Sequence, residues 1–165
     1  MLENLKKSEE KWCDYEGTFE LPLLGGEMFV QVLKDVELEY AEKCASYLQN
    51  LPEHVLNDLC SFAISYCEDN RKHFLDEGIE IPEEINGLEI LSYIHLGDMM
   101  ISQPKNDKII AFSMTLNCDW EDEHGMEVIV RNDEILYVGG FNGGYDIWGD
   151  KDHFDTEWNF AELRD

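Results

Sequence analysis

GMEVIVRNDEILYVGGF, residues 125–141, decides the fold, because it holds two apolar runs on either side of a turn signal. Asn132 and Asp133 tolerate the left-handed backbone that a two-residue hairpin turn requires. By alternation, the residues expected to share one face of the two strands are Met126, Val128, Val130, Ile135 and Tyr137. The stretch therefore predicts an antiparallel hairpin.

Further strands are expected on both sides of the chain's centre. The runs LEILSYIHL (residues 88–96) and KIIAFSMTLN (residues 108–117) precede the hairpin, so residues 88–143 are predicted to form a C-terminal sheet of four strands. Near the start, residues 15–34 hold two extended runs around a Gly-Gly step, which predicts an N-terminal hairpin. Pro22 cannot donate to a ladder, so the first of these strands is expected at a sheet edge.

Between the two strand regions, residues 35–78 carry apolar side chains at helical spacing. Asp35 is a candidate cap for a first helix, Pro52 suits the first turn of a second, and Gly78 suits the end. The expected stripes are Leu38, Ala41, Ala45 and Leu48 in the first helix, and Val55, Leu56, Leu59, Phe62, Ala63, Tyr66, Cys67 and Phe74 in the second.

The order ββ-αα-ββββ lacks regular alternation of strand and helix. It therefore predicts one α+β domain that spans residues 1–165 and has a largely antiparallel sheet. Residues 1–14 are polar and expected to be flexible or a short helix. The acidic, aromatic tail, residues 144–165, is expected to fold back over the sheet. Predicted core residues are Phe29, Leu48, Leu59, Phe62, Ile110, Phe112, Val128 and Tyr137.

The charge is extreme: 12 Lys and Arg against 37 Asp and Glu give −25. Such a surface repels nucleic acid and anionic lipid and favours basic protein partners. No apolar run is long enough to span a bilayer, and no signal peptide is recognisable, so a cytoplasmic location is expected. The five cysteines include no C-x-x-C pair and are expected to be buried free thiols.

The densest acidic stretch is DWEDEH, residues 119–124, and it has two interpretations. In the favoured one, Trp120 packs at a strand end and His124 with Gly125 forms a structural turn. The exposed members would then offer a rim to a basic partner, and the rim candidates are Glu121, Asp122 and Glu123. The alternative is a metal-binding module or metal-dependent hydrolase with the ligands Asp119, Glu121, Glu123 and His124.

Other chemistry lacks a sequence basis. GDKDHFD, residues 149–155, fails the calcium-loop pattern, because Phe154 and Asp155 stand where that pattern needs a ligand and a glycine. The glycine-rich run at residues 138–149 has no Lys-Ser/Thr after it, and no activated nucleophile is apparent. No cofactor and no catalytic residue are therefore predicted, and an enzyme is the less favoured expectation.

The segment at residues 116–143 also resembles an uncharacterised bacterial domain family. The shared signature is W-x-x-E-H-G followed by a hairpin that ends in V-G. The matching positions here are Trp120, Glu123, His124, Gly125, Val138 and Gly139. The family is similar to small immunity-type proteins of bacterial toxin systems. The resemblance thus implies an acidic binding protein that neutralises a basic toxin domain, and it implies no catalytic residues.

Overall fold

The fold is a single mixed sheet with its helices inserted between the third and fourth strands, in a computed structural model that describes residues 1–164. The strands are β1 (Glu3–Lys7), β2 (Cys13–Leu21), β3 (Gly26–Leu33), β4 (Ile94–Ile101), β5 (Ala111–Cys118), β6 (Met126–Arg131) and β7 (Glu134–Gly139). The helices are α1 (Leu38–Gln49), α2 (Glu53–Asn70) and the short α3 (Phe74–Glu77). Single 3-10 turns or helices cover Pro22–Leu24, Arg71–His73, Gly87–Tyr93 and Lys151–Phe154.

The seven strands lie in sequence order, β1 to β7, and every neighbouring pair is antiparallel except β3 with β4. That parallel pair follows from the helical insertion, because a chain that leaves one strand and returns beside it in the same direction needs a long crossover. The predicted α+β class, the N-terminal hairpin and the four C-terminal strands are confirmed.

The main core lies between one face of the sheet and the helices. Alternation in β3 sends Met28, Val30 and Val32 into it, together with the apolar stripes of α1 and α2. Predicted members Phe29 and Ile110 are only half-buried. Phe29 points to the opposite face because its neighbours in β3 occupy the helix side.

A smaller apolar cluster lies on the opposite face, beneath the tail. Ile129, Leu136, Tyr137 and Phe154 form it. The predicted common face of the C-terminal hairpin is therefore wrong for Tyr137, which pairs with Ile129. A register shift between Ile129 and Val130 separates Tyr137 from Ile135, which stays in the main core.

Three features of the N-terminal part differ from expectation. The segment expected to be flexible or helical contains β1, whose five residues are all exposed and pair with β2. β2 is consequently not an edge strand, and Pro22 follows it in a 3-10 turn. Asp35 does not cap α1, because it adopts a left-handed turn conformation with φ of 67° and the helix begins at Leu38.

The start of β4 also differs. The run at residues 88–96 is mostly a 3-10 helix, and the strand begins only at Ile94 and extends through less apolar residues to Ile101. Other local signals were correct. Asn132 and Asp133 have φ of 53° and 61° in the β6–β7 turn. Gly78, at φ 68°, ends a helix as expected, but that helix is the short α3, because α2 already ends at Asn70.

The tail folds back along β7, and its last residue, Asp165, lies outside the described residues. The Asn159 side chain accepts a hydrogen bond from the Val138 N–H at 3.1 Å and donates to the Leu136 carbonyl at 2.8 Å. The Phe160 N–H donates to the Val138 carbonyl at 2.8 Å. These bonds hold the tail against an otherwise open sheet edge. No helix in residues 1–164 combines the length and apolarity that crossing a membrane requires.

Candidate functional site

Trp120 anchors the acidic turn that follows β5. Its side chain is only 1% exposed, and its ring meets Tyr66 of α2 edge-on, with ring centroids 5.6 Å apart. Within residues 1–164 its buried indole N–H finds no hydrogen-bond acceptor. Trp120 itself thus contacts the helix layer through aromatic packing, without a hydrogen bond from its indole N–H.

The Glu121 carboxylate organises the turn itself. One oxygen accepts the Glu123 N–H at 3.0 Å, and the other accepts the His124 N–H at 2.9 Å and lies 2.7 Å from His124 Nδ1. Glu121 is half-buried, whereas Asp122 and Glu123 are exposed. Of the three predicted rim residues, two face solvent and the third holds the backbone.

Gly125 closes the turn against α2. Its φ of 64° lies in the left-handed region, and an added Cβ would come within 2.6 Å of the Leu116 carbonyl oxygen. The Gly125 carbonyl accepts a buried hydrogen bond from the Tyr66 hydroxyl at 2.8 Å. Burial raises the pKa of Tyr66 above its usual range, so this hydroxyl remains a donor.

The four predicted metal ligands do not come together. An extended segment would place Asp119, Glu121 and Glu123 on one face, but the chain turns here. Asp119 instead pairs with His95 of β4, with Asp119 Oδ1 and His95 Nε2 2.7 Å apart. Glu121, Glu123 and His124 remain together, each offering a ligand atom within 4.8 Å of the others.

A groove of about 580 Å³ opens beside this turn, between α2 and the tail. We call it the acidic groove. Its lining residues are Tyr66, Asp69, Asn70, Lys72, His73, Glu77, Glu121, Glu123, His124, Gly140, Glu157, Trp158 and Phe160. Five carboxylates thus face one lysine and two histidines, which gives the groove a net negative charge.

The tail supplies the aromatic wall of the acidic groove. Phe160 stacks on Tyr66, with ring centroids 5.1 Å apart and planes 20° from parallel. Trp158, two residues earlier, is 53% exposed. Sequence reasoning missed Trp158, whose only signal was an unpatterned aromatic in the tail, because the bonds that place it are made to β7.

No thiol in the described chain is prepared for nucleophilic chemistry. All five cysteines are free and buried. Burial raises the pKa of Cys44, Cys60 and Cys67 to about 11 and that of Cys118 to about 12. These groups are therefore protonated at neutral pH, and they act as small apolar residues of the core.

Comparison with known proteins gave one result. The model of a family described as a domain of unknown function, DUF6985, matches residues 1–145. The comparison with curated proteins gave no match, and neither did the comparison with solved structures. The acidic turn lies inside the matched residues, whereas Trp158 and Phe160 lie beyond them, so the acidic groove combines the family's domain with the tail.

Proposed function

The chain belongs to the DUF6985 family, whose function is unknown, and we propose that this protein is a non-enzymatic binding protein for a basic protein partner. The observation that carries the proposal is an exposed tryptophan in a groove rich in carboxylates. The net charge of −25 adds a long-range field that steers cationic proteins toward this surface.

The carboxylates of the acidic groove suit an arginine side chain. A guanidinium presents paired N–H donors that match a carboxylate, and Glu123 and Glu157 are exposed and have no intramolecular cation in the described residues. Glu121 is less available, because both its oxygens already accept hydrogen bonds from the turn. Recognition is therefore assigned to the exposed acidic residues around the turn.

Trp158 provides the second half of such a site. An arginine can lie flat on an indole face, an interaction that strengthens when water is excluded. Phe160 stacks on Tyr66 in the wall of the same groove, and this contact joins the tail beside Trp158 to α2. Trp158 thus has the character of an interface anchor, since tryptophan and arginine dominate protein–protein hot spots.

The partner class that fits best is a basic toxin domain, which the protein would neutralise as an immunity protein. A toxin that acts on nucleic acid has to be cationic to approach phosphates, and an acidic inhibitor that covers the same surface gains association rate from that charge. The family resemblance of the W-x-x-E-H-G signature supports the same proposal.

Neutralising the exposed rim should slow association without unfolding the protein. In the variant Asp122→Asn with Glu123→Gln, we expect a severalfold lower association rate with an arginine-rich peptide and a shallower dependence on salt. Stopped-flow measurement at several salt concentrations gives both quantities. The melting temperature should stay unchanged, because both side chains are exposed.

The matched control is Glu9→Gln with Glu10→Gln, which removes the same charge from the exposed β1–β2 loop at the other edge of the sheet. If both double variants slow association equally, net charge alone acts and the acidic groove has no special role. That result would contradict the proposed site.

A second candidate function, metal binding, is favoured by the compact set of Glu121, Glu123 and His124. A cation there would have to share Glu121 with the backbone N–H groups that it already accepts. If the site binds metal, zinc or manganese should raise the melting temperature of the wild type and not of His124→Ala. Equal melting curves with and without zinc, manganese, calcium and magnesium would eliminate this candidate.

A further inference from the structure

A second concave site lies on the face of the sheet that the helices leave free. This cleft, about 460 Å³, has β3 to β6 as its floor and residues 141–147 as one wall. Its lining residues are Gln31, Leu33, Asp98, Met100, Ser102, Ser113, Thr115, Glu127, Phe141, Gly143, Tyr145, Asp146 and Ile147. We call it the sheet cleft. It shares no residue with the acidic groove.

Glu127 lies at the bottom of the sheet cleft. Its side chain is 5% exposed, and no other charged residue among residues 1–164 is buried. Its Oε1 accepts the N–H of Asn142 at 3.2 Å and that of Gly143 at 3.5 Å. Both of these bonds go to Oε1, and no group among residues 1–164 donates to Oε2. Burial raises the pKa of Glu127, since removing a carboxylate from water disfavours its charged form.

A buried carboxylate without a cation is costly to the fold, whereas a glutamine could accept the same two backbone hydrogen bonds without that cost. The carboxylate of Glu127 therefore lowers the stability of the fold, and yet the chain has this ionisable group at the base of a cleft. Groups of this kind concentrate at binding and catalytic sites.

The strand register adds a second acceptor on the same face. Asp98 of β4 is directly opposite Thr115 of β5, which is directly opposite Glu127 of β6. Side chains of directly opposed residues point to the same face, so the two carboxyl groups flank Thr115 with their Cα atoms roughly 10 Å apart, two strand spacings. No lysine or arginine lines the sheet cleft in residues 1–164.

Apolar side chains also line the mouth of the sheet cleft, beside the polar residues Gln31, Ser102, Ser113 and Asp146. Phe141 is 49% exposed and Met100 37% exposed, and Tyr145 and Ile147 continue the wall. The Phe141 ring lies over Gly143, where an added Cβ would come within 2.9 Å of it. An apolar entrance above two acidic acceptors is complementary to a molecule with an apolar body and a cationic end.

We propose that the sheet cleft binds a small organic cation, a primary ammonium or guanidinium group carried on an apolar body. The cationic group lies between Glu127 Oε2 and the Asp98 carboxylate, above Thr115, whose hydroxyl is a further acceptor. The apolar body packs on Phe141 and Met100. The apolar lining and the modest volume favour a small molecule over a protein segment here.

Titration of the full chain with butylammonium, cyclohexylmethylammonium, phenethylammonium and butylguanidinium tests the proposal, with the corresponding alcohols as neutral controls. Calorimetry gives the affinity, and amide NMR shifts should centre on Thr115 and Gly143. We expect saturable binding of at least one cation, at least tenfold weaker in Glu127→Gln and severalfold weaker in Asp98→Asn. Glu9→Gln, which removes an exposed charge elsewhere, should bind as the wild type does.

The melting temperature distinguishes a loss of binding from a loss of folding. Glu127→Gln should melt at the same temperature as the wild type or higher. Absence of saturable binding by all four cations would overturn the proposal. Equal affinity of wild type and Glu127→Gln, or alcohols that bind as tightly as the cations, would also overturn it. None of these outcomes bears on the acidic groove, since the two sites share no residue.

Discussion

Replacing Trp120 by alanine is expected to lower the free energy of unfolding by about 3–5 kcal/mol, the usual cost of removing a large buried aromatic side chain. The indole is almost completely buried and packs on Tyr66, whose hydroxyl holds the Gly125 carbonyl. Its loss would leave a cavity between the end of β5 and α2 and would release the acidic turn. Urea unfolding followed by circular dichroism measures the change.

Two further variants show whether packing is the cause. Trp120→Phe keeps an aromatic ring against Tyr66 and removes the indole N–H that lacks an acceptor, so it should lose clearly less stability than Trp120→Ala. Trp12→Ala removes an indole that is 47% exposed and should change stability little. If Trp120→Ala is no more destabilising than Trp12→Ala, Trp120 does not anchor the turn.

The local signals in the sequence were sufficient for much of the fold. Asn132 and Asp133 specify their turn through their own backbone preferences, and Gly78 specifies a helix end in the same way. Helical spacing over residues 35–78 is equally local. The class of the fold therefore follows from short-range information.

Features stabilised by distant partners were at most partly visible in the sequence. β1 has no buried side chain and exists through its ladder with β2, so it leaves no apolar pattern. β4 pairs in parallel with β3, across the whole helical insertion. That pairing involves Asp98 to Ile101, which lie beyond the apolar run at residues 88–96, so the strand extends further than the sequence pattern indicated.

In the candidate site too, the features set by local sequence could be predicted and those set by distant contacts could not. The turn at residues 119–125 could be predicted, because Gly125 and the polar residues before it are local turn chemistry. The separate roles of Asp119 and Glu121 could not be predicted. Asp119 pairs with His95 on another strand, and Glu121 accepts hydrogen bonds from backbone N–H groups of the turn. The acidic groove was missed because Trp158 reaches it through bonds between the tail and β7.

Trp158→Ala is expected to weaken the binding of a basic partner by about thirtyfold, which corresponds to about 2 kcal/mol, the usual threshold of an interface hot spot. The exposed indole is a large aromatic surface that the acidic groove presents to solvent. Its truncation should leave the fold intact, because Phe160 and Asn159 hold the tail on β7 independently of it. Wild-type and variant proteins should therefore melt at similar temperatures.

Calorimetric titration with an arginine-rich peptide tests the central claim most directly, with the same peptide carrying citrulline in place of arginine as the neutral control. The acidic groove predicts saturable binding of the arginine peptide by the wild type and by Trp12→Ala, a loss of about thirtyfold in Trp158→Ala, and no binding of the citrulline peptide. Equal affinities of Trp158→Ala and Trp12→Ala for the arginine peptide would contradict it.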